Sequence, residues 1–177
     1  MFTQSKGLVK WDEKLLTFKP DTPFQNTITL GSVSGNYDYE KTNEEINNKL
    51  SFLNLKNEEI KLEINDINNF SIKELWETKH EKESRWSKSF IDLQNDVTTK
   101  DLRQGIQEGF DRIEHLKRFT TNSMGTDQGK ISSINALGIV SEILDKKVSE
   151  VGTTIYRPPY APLSFASIAG RGTYDFY

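Results

Sequence analysis

The stretch INNKLSFLNLKNEEIKLEINDI, residues 46–67, carries the clearest periodic pattern in the sequence. Its apolar positions alternate in steps of four and three, with one asparagine among them: Ile46, Leu50, Leu53, Asn57, Ile60, Ile64 and Ile67. Heptad spacing of this kind lines one face of a helix, which packs against a partner helix. The pattern predicts a coiled-coil helix over residues 41–70, whose seam forms the oligomerisation surface of a homodimer or homotrimer.

Asn57 is the polar member of this seam. A buried asparagine at a heptad position can fix the register and the number of strands, although it lowers stability. The alternative is an exposed asparagine on the outer face of the helix. The sequence leaves both interpretations of Asn57 open.

Further helices are predicted beyond the seam. Over residues 71–120 the same alternation recurs, for example at Trp76, Trp86, Phe90, Leu93 and Val97. The step from Val97 to the next apolar position, Leu102, is five residues, so the heptad pattern slips there. Residues 121–129 have the composition of a loop. A last helix is predicted over residues 130–152, where Gly152 is a suitable terminating residue.

The two ends of the chain differ from its centre. Residues 1–40 contain short β-leaning segments separated by proline and glycine, which predicts an extended or hairpin-like N-terminal segment. Residues 153–177 contain three of the five prolines and no lysine or glutamate. Proline-stiffened aromatic segments suit docking into a groove. This tail is therefore predicted to bind another protein through Tyr156, Arg157, Pro158, Pro159, Tyr160, Phe165, Ile168 and Arg171.

Two alternatives for the tail stay open. It could fold back as a lid on the chain's own helices, or it could be a disordered end. The six aromatic residues after Thr153 argue against disorder. The docking arm is the favoured interpretation.

Composition restricts the class of protein. Hydrophobic residues make up 34% of the 177 residues, below the roughly 45–50% of typical globular domains. This favours a thin helical oligomer over a compact monomer. The net charge of −3 disfavours a nucleic-acid partner. The sequence shows no signal peptide and no apolar run long enough to span a membrane, so a cytoplasmic or virion location is expected.

Residues that could carry chemistry are sparse. The chain has no cysteine and two histidines, His80 and His115. Neither histidine lies in a metal-ligand or nucleophile–base spacing. The sequence therefore predicts no catalytic site, no metal and no cofactor, and the protein is expected not to be an enzyme.

The layout of anchoring end, helical rod and proline-aromatic terminus resembles that of small virion-associated or fibre-type viral proteins. The resemblance implies a mainly α-helical structural and assembly protein, an elongated coiled coil or bundle whose termini dock on a capsid or particle surface. Two alternatives stay open: a small helical enzyme subunit with a site around His80 or His115, and a nucleic-acid-binding accessory protein that uses Lys117 and Arg118.

Overall fold

The computed structural model describes residues 2–52, 72–78, 87–157 and 163–169. The chain divides into two compact units, one within residues 2–75 (the N-terminal unit) and one within residues 76–177 (the C-terminal unit). Each unit has buried apolar side chains of its own. In the N-terminal unit Trp11 is buried, and the C-terminal unit buries a larger set from several helices.

The N-terminal unit begins with a two-stranded antiparallel hairpin, β1 at Val9–Asp12 and β2 at Thr17–Pro20. Trp11 lies opposite Phe18, and their rings meet edge to face with centroids 5.0 Å apart. A lone hairpin is marginally stable in water. Here β2 packs against a 3-10 turn at Gly31–Ser34, which supplies further contacts.

Helix α1 spans Tyr39–Phe52. It starts after Asp38, whose carboxylate accepts the Lys41 N–H at 3.2 Å and acts as an N-terminal cap. Of the predicted seam, Ile46 and Leu50 lie in α1 and are half-buried. The remaining positions lie outside the described residues: Leu53, Asn57, Ile60, Ile64 and Ile67. An oligomerisation role for the seam stays untested.

The C-terminal unit contains a second antiparallel hairpin, β3 at Phe90–Asp92 and β4 at Val97–Thr98. The four-three spacing predicts a helix here, with Leu93 and Val97 on one buried face. In the structure Leu93 is 76% exposed, whereas Val97 and Ile91 are buried. The helical interpretation of this stretch is therefore wrong.

The turn between these strands explains the error. Oδ1 of Asp92 accepts the N–H groups of Gln94 at 2.9 Å and Asn95 at 3.2 Å. In a helix these N–H groups would donate to carbonyls one turn earlier, so the carboxylate competes with helix formation. Asp96 then adopts a left-handed φ of 53°, which aspartate tolerates better than most residues.

Helix α2, Thr99–Gln107, begins at a capping pair. The N–H and the hydroxyl of Thr98 both donate to Oδ2 of Asp101 at 2.7 Å. Because the first N–H groups of a helix have no partner within it, such side-chain contacts at the start stabilise the helix.

Helix α3, Ile113–Thr120, crosses α2 closely. Gly105 permits this approach, because a methyl group there would overlap the side chain of Leu116. The core of the C-terminal unit contains buried apolar side chains from α2, α3, β3, β4 and α4: Ile91, Val97, Leu102, Ile113, Leu116, Ala136, Leu137, Ile139 and Val140.

The helix predicted over residues 130–152 is two helices, α4 at Ser133–Leu144 and α5 at Val148–Val151. Asp145 separates them with a left-handed φ of 51°. Residues 136–141 are all buried, so α4 is enclosed on every side along this stretch. A short helix α6 follows at Phe165–Ala169.

The described chain is a small mixed α/β protein with two hairpins and short helices. A mainly α-helical coiled-coil rod is therefore a wrong description of it, since turns at acidic side chains and left-handed residues interrupt the predicted helices. Across the described ranges, every helix is too short or too polar to cross a lipid bilayer.

Candidate functional site

Asp92 is the centre of a polar network inside the C-terminal unit. It is 2% exposed. Its Oδ1 binds the turn N–H groups of Gln94 and Asn95, and its Oδ2 accepts the Ser123 N–H at 2.8 Å. The Asn95 amide at 3.2 Å and the Ser132 hydroxyl at 3.4 Å also point to Oδ2. These five donors are all neutral groups.

The network favours the ionised form of Asp92. Burial raises the pKa of this carboxyl, but the hydrogen bonds from the Ser123 N–H, Asn95 and the Gln94 N–H together outweigh burial. The pKa therefore lies below its ordinary value. Hydrogen bonds that several N–H groups donate to a carboxylate stabilise its charge.

Ser123 connects Asp92 to a cluster of hydroxyls. Its Oγ accepts the Asn122 amide at 3.0 Å and the Ser133 hydroxyl at 2.9 Å, and it lies 3.2 Å from the Ser132 hydroxyl. Oδ1 of Asn122 is buried without a hydrogen-bond partner. The cluster ties the end of α3 to the start of α4.

A shallow depression borders this cluster, lined by Ile113, Lys117, Asn122, Ser123, Ser133, Leu137 and Thr154. Serine acts as a nucleophile when a nearby base takes its proton. Asp92 is a weak base because its pKa is low. Within the residues that the structure describes, no histidine or lysine hydrogen-bonds to these hydroxyls. The arrangement supports a structural rather than a nucleophilic role.

The loop between α3 and α4 has an unusual backbone. Thr121 and Ser123 both have φ of 63°, Gln128 has 52°, and Gly125 and Gly129 have 78°. Left-handed conformations strain residues with side chains, most of all β-branched ones such as threonine. This backbone conformation places the Ser123 N–H within hydrogen-bonding distance of Asp92.

The β3–β4 turn and this loop hold each other through side-chain amides. The Asn95 amide donates to the Met124 carbonyl at 3.2 Å. Gln94, with its amide nitrogen facing Asp127, donates to the Asp127 carboxylate at 3.0 Å and accepts the Thr126 hydroxyl at 2.8 Å. Together with Asp92, these contacts fix the loop on the hairpin.

Gln128 in turn fixes the start of the tail. Its Oε1 accepts the Arg157 N–H at 2.6 Å, and its Nε2 donates to the Arg157 carbonyl at 2.9 Å. The side chain thus pairs with one residue's backbone as a neighbouring β-strand would. The direction of the chain at residue 157 is therefore set by the loop.

The predicted tail-binding residues are only partly described. Tyr156 is half-buried and Arg157 is exposed. Phe165 and Ile168 in α6 are 86% and 67% exposed. The others lie outside the described residues: Pro158, Pro159, Tyr160 and Arg171. A partner-binding role for this set stays a prediction.

Of the two histidines, His115 belongs to the described residues. His115 is exposed on α3, and His80 lies outside the description. The described ranges contain no group of three or more acidic, histidine or cysteine side chains placed to hold a metal ion. The sequence pattern did not indicate Asp92, Ser123 or Gln128 as candidate site residues. The turn-forming composition of LQND, residues 93–96, is the signal that favoured a hairpin over a helix there.

Comparison with known proteins finds a likeness within the C-terminal unit. Residues 86–171 match the sarcosine oxidase A3 domain. The matched segment, called the A3 segment below, includes the Asp92 network, the Gln128 contact and the exposed residues of α6.

Three curated relatives show the same likeness, and each is a sarcosine oxidase subunit alpha. The protein of Rhizobium meliloti (strain 1021) is 45% identical over 86 residues, 49% of this chain. Those of Corynebacterium sp. strains P-1 and U-96 are 39% identical over 89 residues and 42% identical over 83 residues, 50% and 46% of this chain. In every case the aligned region is 9% of the relative.

These relatives correct the functional hypothesis. The A3 segment is homologous to part of an enzyme subunit, so the interpretation as a non-enzymatic viral assembly protein is wrong. A capsid partner and a virion location have no support. The alternative of an enzyme subunit agrees with the relatives, and the word subunit in their names denotes proteins that work with other polypeptides.

Proposed function

We propose that this chain forms part of an enzyme subunit of the sarcosine oxidase alpha type, in which the A3 segment is a rigid connecting module. The observation that carries the proposal is the match of residues 86–171 to the sarcosine oxidase A3 domain, together with identities of 39–45% to three such subunits over 83 to 89 residues. We propose that the oxidation chemistry lies in other regions of the enzyme, since the hydrogen bonds of the hydroxyl cluster around Asp92 connect the end of α3 to the start of α4.

The geometry supports a connecting role in two steps. First, Asp92 anchors the strained loop through the Ser123 N–H. Second, Gln128 of that loop holds the backbone of Arg157 by two hydrogen bonds. The tail therefore leaves the module from a fixed point rather than from a freely moving end.

The tail beyond this point presents apolar side chains to solvent. Leu163, Phe165 and Ile168 are 60%, 86% and 67% exposed. Phe165 and Ile168 are three residues apart in α6, so they share one face. We propose that this face packs against another region of the enzyme, as the docking-arm interpretation expects. The relatives are about ten times longer than the aligned segment, which leaves ample surface for such a contact.

A chimaera tests the proposal. Residues 86–171 of this chain would replace the corresponding segment of the Rhizobium meliloti subunit alpha, which would be co-expressed with its own partner subunits. We expect the chimaera to assemble and to oxidise sarcosine. A folded chimaera that assembles poorly or lacks activity would contradict a shared role for the segment.

A second pair of chimaeras tests the tail. Phe165→Ala with Ile168→Ala should reduce assembly while the module stays folded, because large apolar anchors dominate interfaces. Ser164→Ala with Ser167→Ala is the matched control, since these serines lie in the same region and are exposed. Equal assembly of the two chimaeras would show that the α6 face is not an interface.

A further inference from the structure

Glu77 contacts helix α2 through a forked ion pair. Its Oε2 lies 2.6 Å from Nη2 of Arg103, and its Oε1 lies 3.2 Å from Nη1. The Glu77 side chain is 10% exposed and that of Arg103 is 42% exposed. Two parallel hydrogen bonds between a guanidinium and a carboxylate give strong directional recognition.

Trp76, the preceding residue, contacts helix α4. Its indole ring lies directly on Gly138, where any added side-chain carbon would overlap the ring atoms. Glycine is among the poorest helix formers, yet Gly138 lies within α4 among buried residues. The close approach of an aromatic ring explains why this position has no side chain.

Two adjacent residues thus bind two helices that pack against each other. Arg103 supplies a cationic fork on α2, and Gly138 supplies an apolar floor on α4. The occupying residues 76–77 precede residue 86, where the match to the A3 domain begins. This surface of α2 and α4 is therefore covered by residues that lie outside the A3 segment.

We infer that Arg103 and Gly138 form a docking site for a tryptophan–glutamate peptide, occupied here by Trp76 and Glu77 of the same chain. The segment around them, residues 72–78, is non-helical. Its occupant is selected by two features, a flat aromatic ring that reaches the glycine and a carboxylate that reaches the arginine.

The test uses the full-length chain and a labelled synthetic peptide IKELWET, the sequence of residues 72–78. In the double variant Trp76→Ala/Glu77→Ala the site is vacated, and fluorescence anisotropy should report saturable binding of the peptide. The wild-type chain should bind it about tenfold or more weakly, because its own segment competes at high effective concentration. Equal binding by both proteins would overturn occupancy in the same chain.

Two further variants in the vacated background locate the site. Arg103→Ala should weaken binding about tenfold, the usual scale for an interface arginine. Gly138→Ala should abolish it, since the methyl group fills the floor. A peptide with alanine at both the tryptophan and glutamate positions should not bind. A folded vacated variant that fails to bind IKELWET would overturn the inference.

If the vacated variant does not fold, exchanging the charges of Glu77 and Arg103 in the full-length chain tests the inference instead. Glu77→Arg and Arg103→Glu should each lower the melting temperature, and the double variant should recover most of the loss, since only the double variant restores a pair of opposite charges. A double variant that melts no higher than the lower of the two single variants would overturn the inference.

Discussion

Replacing Asp92 by asparagine should destabilise the C-terminal unit strongly. The change keeps the shape of the side chain but turns one acceptor oxygen into an NH₂ group. On the Oδ2 side this NH₂ would face the Ser123 N–H, the Asn95 amide and the Ser132 hydroxyl, and on the Oδ1 side the N–H groups of Gln94 and Asn95. On the Oδ2 side the Asn95 amide keeps the Met124 carbonyl and the hydroxyl can rotate, so the Ser123 N–H loses its acceptor; on the Oδ1 side two N–H groups lose theirs.

The magnitude follows from burial. An unmet buried donor costs about 1–3 kcal/mol. The amide nitrogen should choose the Oδ1 side, because Gln94 is exposed and Asn95 is half-buried, so water can satisfy part of the loss there. With the loss of the charge-assisted bonds added, we expect Asp92→Asn to lower the free energy of unfolding by about 2–3 kcal/mol.

Hydrogen exchange is the suitable assay, since the chain has two compact units and a single melting curve mixes them. The most protected amides of α2 and α4 should exchange roughly 30- to 150-fold faster in the variant, the equivalent of that free energy. Asp111→Asn, at an exposed position, is the control and should change exchange little. An acceleration below about threefold at Asp92→Asn would refute the reasoning.

The pH dependence of stability tests the same contribution of Asp92. The pKa of Asp92 lies below its ordinary value, so its charge stabilises the folded state at pH values above the ordinary pKa of about 3.9. That contribution is lost as the pH falls through this value towards the lower folded-state pKa. The stability gap between wild type and Asp92→Asn should therefore narrow between pH 6 and pH 3, and a constant gap would assign the effect to packing.

Three further substitutions test separate parts of the C-terminal unit. Thr121→Gly should raise its stability by about 1 kcal/mol, because glycine adopts the left-handed backbone of residue 121 without strain; faster exchange of the most protected amides of this unit would contradict this. Gly105→Ala should lower stability by about 1–3 kcal/mol through overlap with Leu116, and unchanged exchange of those amides would mean that α2 and α3 separate easily. Gln128→Ala should speed exchange of the Arg157 amide roughly five- to tenfold, with no effect on α4 amides.

Local composition predicted part of this structure. The prolines and glycines of the first 40 residues indicated short extended segments, and the structure has the β1–β2 hairpin there. The polar loop before α4 was also evident from its composition. Both features depend on residues close in sequence, which a pattern can report directly.

The remainder depends on contacts between distant residues. Phe90, Leu93 and Val97 have helical spacing, yet the Asp92 carboxylate captures the N–H groups that a helix would need. Asp92 becomes a network centre only because Ser123 and Ser132 fold next to it, and these lie 31 and 40 residues away. The spacing of residues in a single sequence does not show which distant residues come into contact. The Asp92 network could therefore not be predicted from the sequence.

The contact between Gln128 and Arg157 has a consequence for sequence tolerance. The two hydrogen bonds from the glutamine side chain to residue 157 use the main-chain N–H and carbonyl of that residue. Every amino acid except proline supplies both groups, so these two hydrogen bonds do not depend on the side chain at position 157. In a library randomised at position 157, nineteen amino acids should keep both hydrogen bonds to Gln128, and proline should lose one of them. In a library randomised at position 128, few residues besides glutamine should form both hydrogen bonds.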